Sequence, residues 1–313
     1  MNIKEAKLDP WLFSAGAYEI YSQCMYKPSY EKYKNVMTEL AGKPLGHVFI
    51  CSDTDENAGI IALEEKPDHE AEITGIAVRK EKQRQGIGKF LVRSAALSLR
   101  TDHIKAETDD DAVAFYEHSG FDIKKITRHY PDEDAVRYEC TLDMNSLPDY
   151  ELHPTTLKDL EGVRSLWADG EVMRYVGFPD GLRKTPEEML AWLDRINAKH
   201  PKTAHYSLYY RGVYCGESYY SVEENCIAAL DIKLFPFARG RGIASRGLKY
   251  AIDQAFANGA SKCYVDPNPE NKSALALYRR LGMVQKEMPE ELCNKDYPGF
   301  LYFEIERNSI PRP

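Results

Sequence analysis

Two stretches decide how this chain is read: QRQGIG at 83–88 and RGRGIA at 239–244. Each follows a short strand-like apolar run, IAV at 76–78 and DIKLF at 231–235. Each opens a stretch of helical period. Ile87, Phe90, Leu91 and Ala95 share one face after the first, and Ile243, Leu248, Ala251, Ile252 and Ala255 share one after the second. A second matched pair lies downstream, FYEHSGF at 115–121 and LYRRLGM at 277–283. Tyr278 follows Tyr116 by 162 positions, and Gly282 follows Gly120 by the same interval. Two motifs that recur in one order, the glycine turns 156 positions apart and the tyrosine motifs 162, mark an internal duplication.

The halves meet near DMNSLPDY at 143–150, a polar stretch with Pro148 that follows the strand-like VRYECTL at 136–142. The expected domains are 1–145 and 146–313. In the first, a strand near 2–7 precedes helices at about 10–25 and 29–41, then strands near 46–51, 58–65 and 71–78. A glycine-led helix at 86–99, a strand at 103–108, a helix at 111–118 and strands at 121–129 and 135–142 complete it. The second half repeats this order. It has a strand near 151–154, helices at about 156–168 and 186–199, and strands near 204–210, 213–222 and 226–234. A helix at 242–258, a strand at 262–266, a helix at 271–281 and strands near 283–287 and 300–307 follow. Consecutive strands suggest antiparallel hairpins, and the strand–helix–strand passage suggests one parallel pair. The expected class is α/β: two tandem domains, each a mixed, mainly antiparallel twisted sheet flanked by helices.

The chain has 313 residues, enough for two domains that each bury a core. No segment approaches the run of about 18 apolar residues that a membrane helix needs. The start, MNIKEAKLDPW, is charged where a signal peptide is apolar, so a cytoplasmic protein without a membrane partner is expected. The seven cysteines are dispersed, with no C-x-x-C pair, which argues for reduced thiols and no metal site. A net charge of −8 argues against nucleic acid as a partner and suits a cationic amine.

The glycine-rich turns have a chemistry of their own. A helix start exposes backbone N–H groups and the positive end of the helix dipole, which favour anions. Small residues at Gly86, Gly88, Gly242 and Ala244 leave room for a phosphate. Arg84, Arg239 and Arg241 add positive charge. No Gly-Lys-Ser/Thr follows, so neither turn is a Walker loop, and neither is a G-x-G-x-x-G fingerprint.

A strand, then Gln/Arg-x-x-Gly-x-Gly/Ala opening a helix, then a distal [FL]-Tyr-x-x-x-Gly-[FM], resembles the GNAT superfamily of N-acetyltransferases. Both halves carry the resemblance. It implies coenzyme A, as acetyl-CoA, with its pyrophosphate on the glycine turn and its pantetheine arm along the preceding strand. The implied phosphate contacts are Gln83, Arg84, Gln85, Gly86, Ile87 and Gly88, and Arg239, Gly240, Arg241, Gly242, Ile243 and Ala244. The implied arm contacts are Ile76, Ala77 and Val78, and Ile232, Lys233 and Leu234.

The resemblance also places Tyr116 and Tyr278 as proton donors to the departing thiolate. A phenol of pKa about 10 suits a thiol of pKa about 8.5. AEITGIAV at 71–78 resembles the strand that carries the catalytic glutamate in the histone-acetylating branch, which implies Glu72 as base with Glu70 behind it. The matched position in the second half is Ala228. There LDIKL at 230–234 puts Asp231 on the strand, similar to the acidic residue of the aminoglycoside 6′-N-acetyltransferases. DPNPENKSALALY at 266–278 is similar to a run in the same enzymes, and implies that Asn271 caps the tyrosine helix and touches the coenzyme. Asp109 stands at the corresponding place in the first half, where it would cap the helix but add negative charge.

The helices that border the acceptor site in this fold include Trp11, Tyr18, Tyr21 and Tyr26 in the first half. In the second they include Trp167, Met173, Tyr175 and Phe178. These aromatics either pack as core or hold an amine by cation–π contact. The resemblance thus implies an N-acetyltransferase that acts on a small-molecule or peptide primary amine by direct attack in a ternary complex. The alternative is an acyl-CoA-binding sensor or scaffold in which one or both halves are degenerate. A monomer whose halves replace a homodimer is the expected assembly.

Overall fold

A computed structural model describes residues 2–7, 9–53, 56–129, 134–292 and 299–307. Cys293 lies outside them; the other six cysteines are free thiols. The chain divides into two compact units, Met1–Asp149 with Arg211–Val213, and Tyr150–Tyr210 with Tyr214–Pro313.

In the first unit the strands are β1 (Asn2–Glu5), β2 (Gly46–Asp53), β3 (Glu56–Lys66), β4 (Glu70–Val78), β5 (His103–Thr108), β6 (Asp122–His129) and β7 (Asp134–Asp143). The helices are α1 (Ala15–Tyr21), α2 (Tyr30–Gly42), α3 (Ile87–Leu99) and α4 (Val113–Ser119). The sheet order is β1-β2-β3-β4-β5-β7-β6, with β4 and β5 the parallel pair. Ile60, Ile61, Ala62 and Leu63 of β3 are all fully buried, as a central strand covered on both faces requires.

The second unit has the same plan. Its strands are β8 (Glu151–Pro154), β9 (Thr203–Tyr210), β10 (Val213–Val222), β11 (Ile227–Leu234), β12 (Lys262–Val265), β13 (Val284–Lys286) and β14 (Tyr302–Glu306). Its helices are α5 (Leu160–Ala168), α6 (Gly170–Met173), α7 (Pro186–Ala198), α8 (Ile243–Ala257) and α9 (Lys272–Arg280). The order β13-β14-β12-β11-β10-β9-β8 is the first sheet's order read from the other edge, and β11/β12 is its parallel pair.

Three details depart from the expected elements. The helix expected over 10–25 is broken, because Ser14 takes an extended conformation (ψ 163°) between a 3-10 turn at Pro10–Phe13 and α1. Ser14 then caps α1 by accepting from Ala17 N. The helix expected from 156 starts as a 3-10 turn at Leu157–Asp159, fixed by a capping box of Thr156 and Asp159. The short α6 was not expected; Asp169 caps it by accepting from Val172 N at 3.1 Å.

The parallel pairs are short, and this positions the site. β4 meets β5 only over Glu70–Glu72, opposite His103–Lys105. β11 meets β12 only over Ile227–Ala229, opposite Lys262–Tyr264. Beyond these contacts the neighbouring strands splay, and the distal halves of β4 and β11 keep one main-chain edge without a strand partner among the described residues. The opposite edges differ. β4 carries a bulge against β3, with Thr74 the extra residue between Ile73 and Gly75. β11 runs against β10 without a break, from Ala228 opposite Val222 to Leu234 opposite Gly216.

Among the described residues, no helix is long and apolar enough to cross a membrane.

Candidate active site

The two glycine turns share one backbone. Left-handed residues fall at their second and fourth positions: Arg84 (φ 62°) and Gly86 (φ 82°) in the first, Gly240 (φ 76°) and Gly242 (φ 75°) in the second. This alternation turns successive N–H groups toward one side and forms a concave anion nest. Glycine adopts it freely, whereas Arg84 bears a strain of about 1–2 kcal/mol. Neither helix has a side-chain N-cap. The first intrahelical donors are Phe90, to Gly86 O, and Arg246, to Gly242 O. The amides of Ile87, Gly88 and Lys89, and of Ile243, Ala244 and Ser245, therefore precede the helical ladders. A Cβ placed on Gly86, Gly240 or Gly242 meets nothing within 4 Å. The turns fit a pyrophosphate, and the strand edges at Ala77, Val78 and at Ile232, Lys233, Leu234 fit an extended arm that pairs through amides, whereas the Ile76 backbone already meets the Cys24 sulfur.

The side chains of these turns do other work. Gln83 folds back, donating to Val78 O and to Gln23 Oε1, each at 3.0 Å. Arg239 likewise donates to Leu234 O (3.4 and 3.3 Å) and to Glu171 Oε1 (2.8 Å). Arg241 stacks on the Tyr210 ring at 4.6 Å and donates to its hydroxyl. Gln85 donates to Glu81 O. Gly88 is small for packing, since a Cβ there would lie 2.6 Å from the Phe115 ring. Ile87 and Ile243 are buried anchors.

The distal motif is a helix stop that fixes a tyrosine. Gly120 (φ 94°) and Gly282 (φ 81°) take the left-handed conformation that ends α4 and α9. The next amides, Phe121 N and Met283 N, return to Tyr116 O and Tyr278 O, each at 3.0 Å. Both tyrosines lie on the buried faces of their helices, 5% and 8% exposed. Asn271 caps α9, accepting from Ala274 N at 3.2 Å. Asp109 does not cap α4. Its carboxylate accepts from Asp111 N and from Arg137, and the N-cap position is Ala112. Arg137 pairs with the charge that Asp109 brings.

Around Tyr278 the second unit assembles charge. Burial pushes its phenol well up, and the negative charges of Asp231 and Asp266 push it further, against the Lys233 ammonium. The hydroxyl is thus a proton donor across the physiological range. Burial and Asp231 likewise raise the Asp266 carboxyl. Asp231 lies half open, accepts from Ile232 N at 2.7 Å, and is ion-paired to Lys233. The Lys233 ammonium also donates to Glu217 Oε1 at 3.0 Å.

Glu217 is 2% exposed and held on all sides. Trp167 Nε1 donates to both carboxylate oxygens (3.0 and 2.9 Å), and His205 Nε2 lies 3.1 Å from Oε2. His205 Nδ1 in turn meets Thr155 Oγ1 at 2.7 Å. The Trp192 ring stands edge-on to both Trp167 and His205. Burial alone would raise the Glu217 carboxyl, but Lys233, His205 and the donated bonds outweigh it and hold it at about 2. Glu217, His205 and Asp266 escaped the sequence reading. The signal was a glutamate inside the buried strand VYCGESYYSV, matched across the hairpin by a lysine inside LDIKL.

The first unit differs where it matters. Glu72 is exposed and 3.4 Å from Lys66, and the charged or polar groups that act on Tyr116 are Cys140, Cys24 and Asp109. Glu70 pairs with Lys105 at 2.7 Å. The strand ends Val78 and Leu234 both accept from the turn residue five positions on, which sets Gly75 opposite Asp231 in the comparison of units. A Cβ on Gly75 would run into the Tyr21 hydroxyl. Of the bordering aromatics, Tyr21 is buried, Trp11 and Tyr18 pack against the same core, and Tyr26 is exposed. In the second unit Trp167 joins the charge network, Met173 is buried, Tyr175 lies beneath Arg174, and Phe178 is exposed.

Comparison with known proteins gives two family matches. The acetyltransferase (GNAT) family model matches residues 14–121, and an acetyltransferase (GNAT) domain model matches residues 150–284. No curated protein matches. Similar solved structures include a spermidine N-acetyltransferase from Vibrio cholerae in complex with CoA and spermine, at 19% identity and TM-score 0.44, covering 51% of this chain and 96% of that one. A ribosomal-protein-alanine N-acetyltransferase from Brucella melitensis has 18% identity and TM-score 0.43, covering 50% and 99%. An aminoglycoside acetyltransferase in complex with coenzyme A has 16% identity and TM-score 0.42, covering 51% and 95%. Two successive GNAT matches, on two sheets of one strand order, mean that this chain belongs to the GNAT acetyltransferase family as a tandem of two such domains.

Proposed function

We propose that the protein transfers acetyl from acetyl-CoA to a primary amine, and that the second unit is the catalyst. The observation that carries this is the convergence of a buried, protonated phenol, Tyr278, with the half-open carboxylate of Asp231 beside a free strand edge. Bound acetyl-CoA supplies the acetyl thioester. Main-chain groups of Ile232, Lys233 and Leu234 hold its arm, and the turn from Arg239 to Ala244 holds its phosphates. Asp231 takes a proton from the acceptor's ammonium through a water molecule. The freed nitrogen lone pair forms the C–N bond as the C–S bond breaks. Tyr278 gives its phenolic proton to the departing sulfur, the second proton of the acetylated nitrogen returns to the phenolate, and Asp231 releases its proton to solvent, so the net products are the amide, the thiol and one proton.

For the first unit, coenzyme binding without turnover is the reading favoured by one observation: Glu72 is exposed and paired with Lys66. Its turn has the same backbone as the second, so it holds the same anion.

Native mass spectrometry with acetyl-CoA tests both statements, with wild type beside Gly242→Trp, and thiol release is measured with a panel of amines. Two equivalents falling to one, with release abolished, is the expected result. Tight binding without release from any amine would favour a scaffold. No binding would end the acetyl-CoA reading.

A further inference from the structure

The Glu217–Lys233 pair is a buried charge network that the fold does not need. In the antiparallel ladder Lys233 stands opposite Glu217. With Leu234 matched to Val78, Lys233 corresponds to Ala77, whose ladder partner in the first unit is Ile60. The same sheet, twice in one chain, is thus built once around an ion pair and once around Ile60 and Ala77. Apolar side chains fill such places at least as stably as a buried ion pair. A purely structural role therefore does not explain the charges.

The arrangement runs in one direction. Glu217 is enclosed by Trp167, His205 and Lys233. The Lys233 side chain is 11% exposed and that of Asp231 is 41% exposed, so the chain of charge leads from the interior to the open carboxylate. We propose that Glu217 and Lys233 are a positioning pair for Asp231: Glu217 anchors the ammonium, and the ammonium holds the Asp231 carboxylate in place to receive the acceptor's proton. This rests on the assignment of Asp231 as base.

The other titratable groups facing this carboxylate act with or against the lysine. Tyr219 is its ladder partner on β10, and Tyr278 on α9 and Asp266 after β12 lie within electrostatic reach. His205 on β9 acts one step further back, through Glu217. Lys233 is the one cation in contact with Asp231 among the described residues.

The test transplants the first unit's residues, as Glu217→Ile with Lys233→Ala. The variant is expected to fold, and to bind acetyl-CoA as wild type does. Its kcat falls about tenfold or more, while its KM for acetyl-CoA stays near the wild-type value. Lys233→Arg keeps the charge and restores most of kcat, and it serves if the double variant is unstable. A readout without turnover comes from nitrogen NMR of the unliganded protein. The Lys233 ammonium signal, slow to exchange in wild type, is lost in Glu217→Gln. A wild-type kcat in the folded double variant would overturn the proposal while leaving acetylation intact. Absence of thiol release in wild type itself would overturn the acetylation reading, and this inference with it.

Discussion

Gln83 and Arg239 stand at the same place in the two domains and make the same bond. Each side chain donates to the strand carbonyl five residues back, Val78 O or Leu234 O. Each then reaches a second segment that precedes the sheet's central hairpin, through Gln23 Oε1 or Glu171 Oε1. The phosphate turn is thereby tied to the strand end and to the segment that follows the first helix, and the residue type at this place is set by that tie.

The first prediction follows from the tie. Arg239→Gln supplies the first domain's residue and retains the bond to Leu234 O, so acetyl-CoA affinity stays within about twofold of wild type. Arg239→Ala leaves that carbonyl and Glu171 without their donor, and the Kd rises about tenfold, as a lost charge-assisted bond would give. Calorimetric titration separates the two.

Tyr278→Phe removes a hydroxyl that makes no hydrogen bond among the described residues. Its melting temperature and acetyl-CoA affinity stay near wild type. Its kcat/KM for the amine drops by a factor of about 100 or more, the range lost with a general acid. A parallel Tyr116→Phe leaves steady-state turnover unchanged, because the second unit is the proposed catalyst.

The pH dependence of stability has two edges. Burial raises the phenols of Tyr21, Tyr116, Tyr206, Tyr209, Tyr214 and Tyr278 above their ordinary value. Above about pH 10 the unfolded chain releases protons that the native state retains, so stability falls as pH rises there. Phenolate absorbance and unfolding are expected to appear together in an alkaline titration. Glu217 acts in the opposite sense. Its folded value of about 2 lies below the ordinary 4.5, so its contribution is complete above 4.5 and disappears as pH falls toward 2. The Glu217→Ile, Lys233→Ala variant lacks this loss, and its stability declines less over that window by circular dichroism.

Gly88→Ala drives a methyl into the Phe115 ring and costs about 1–3 kcal/mol, the usual range for overpacking. The second domain shows the relief: Ala244 stands in place of Gly88, and Leu277 in place of Phe115. Adding Phe115→Leu to Gly88→Ala recovers most of the loss in a urea titration.

Much of this was legible in the sequence because it is local. Periodicity placed the helices and strands, and the repeated glycine turn and tyrosine motif revealed the duplication. Those motifs encode backbone conformation, such as left-handed residues at Gly86 and Gly242 and helix stops at Gly120 and Gly282. A conformation of that kind depends on a few adjacent residues, so it can be read from them. The helix expected over 10–25 failed for a local reason as well: Ser14 serves as a stop and a cap within an otherwise helical pattern.

The charge at the candidate site was a matter of register, and register is tertiary. Glu217 and Lys233 are 16 positions apart, and only the hairpin sets them opposite each other. His205 and Trp167 reach Glu217 from 12 and 50 positions away. In the first domain Glu72 is exposed and pairs with Lys66, six positions back and across the β3–β4 turn. The sequence by itself determined two acetyltransferase-like folds with glycine-led helix starts, because turns and periods are properties of neighbours. The tertiary structure decided which carboxylate meets which tyrosine, because burial and electrostatics depend on distances that chain order does not contain.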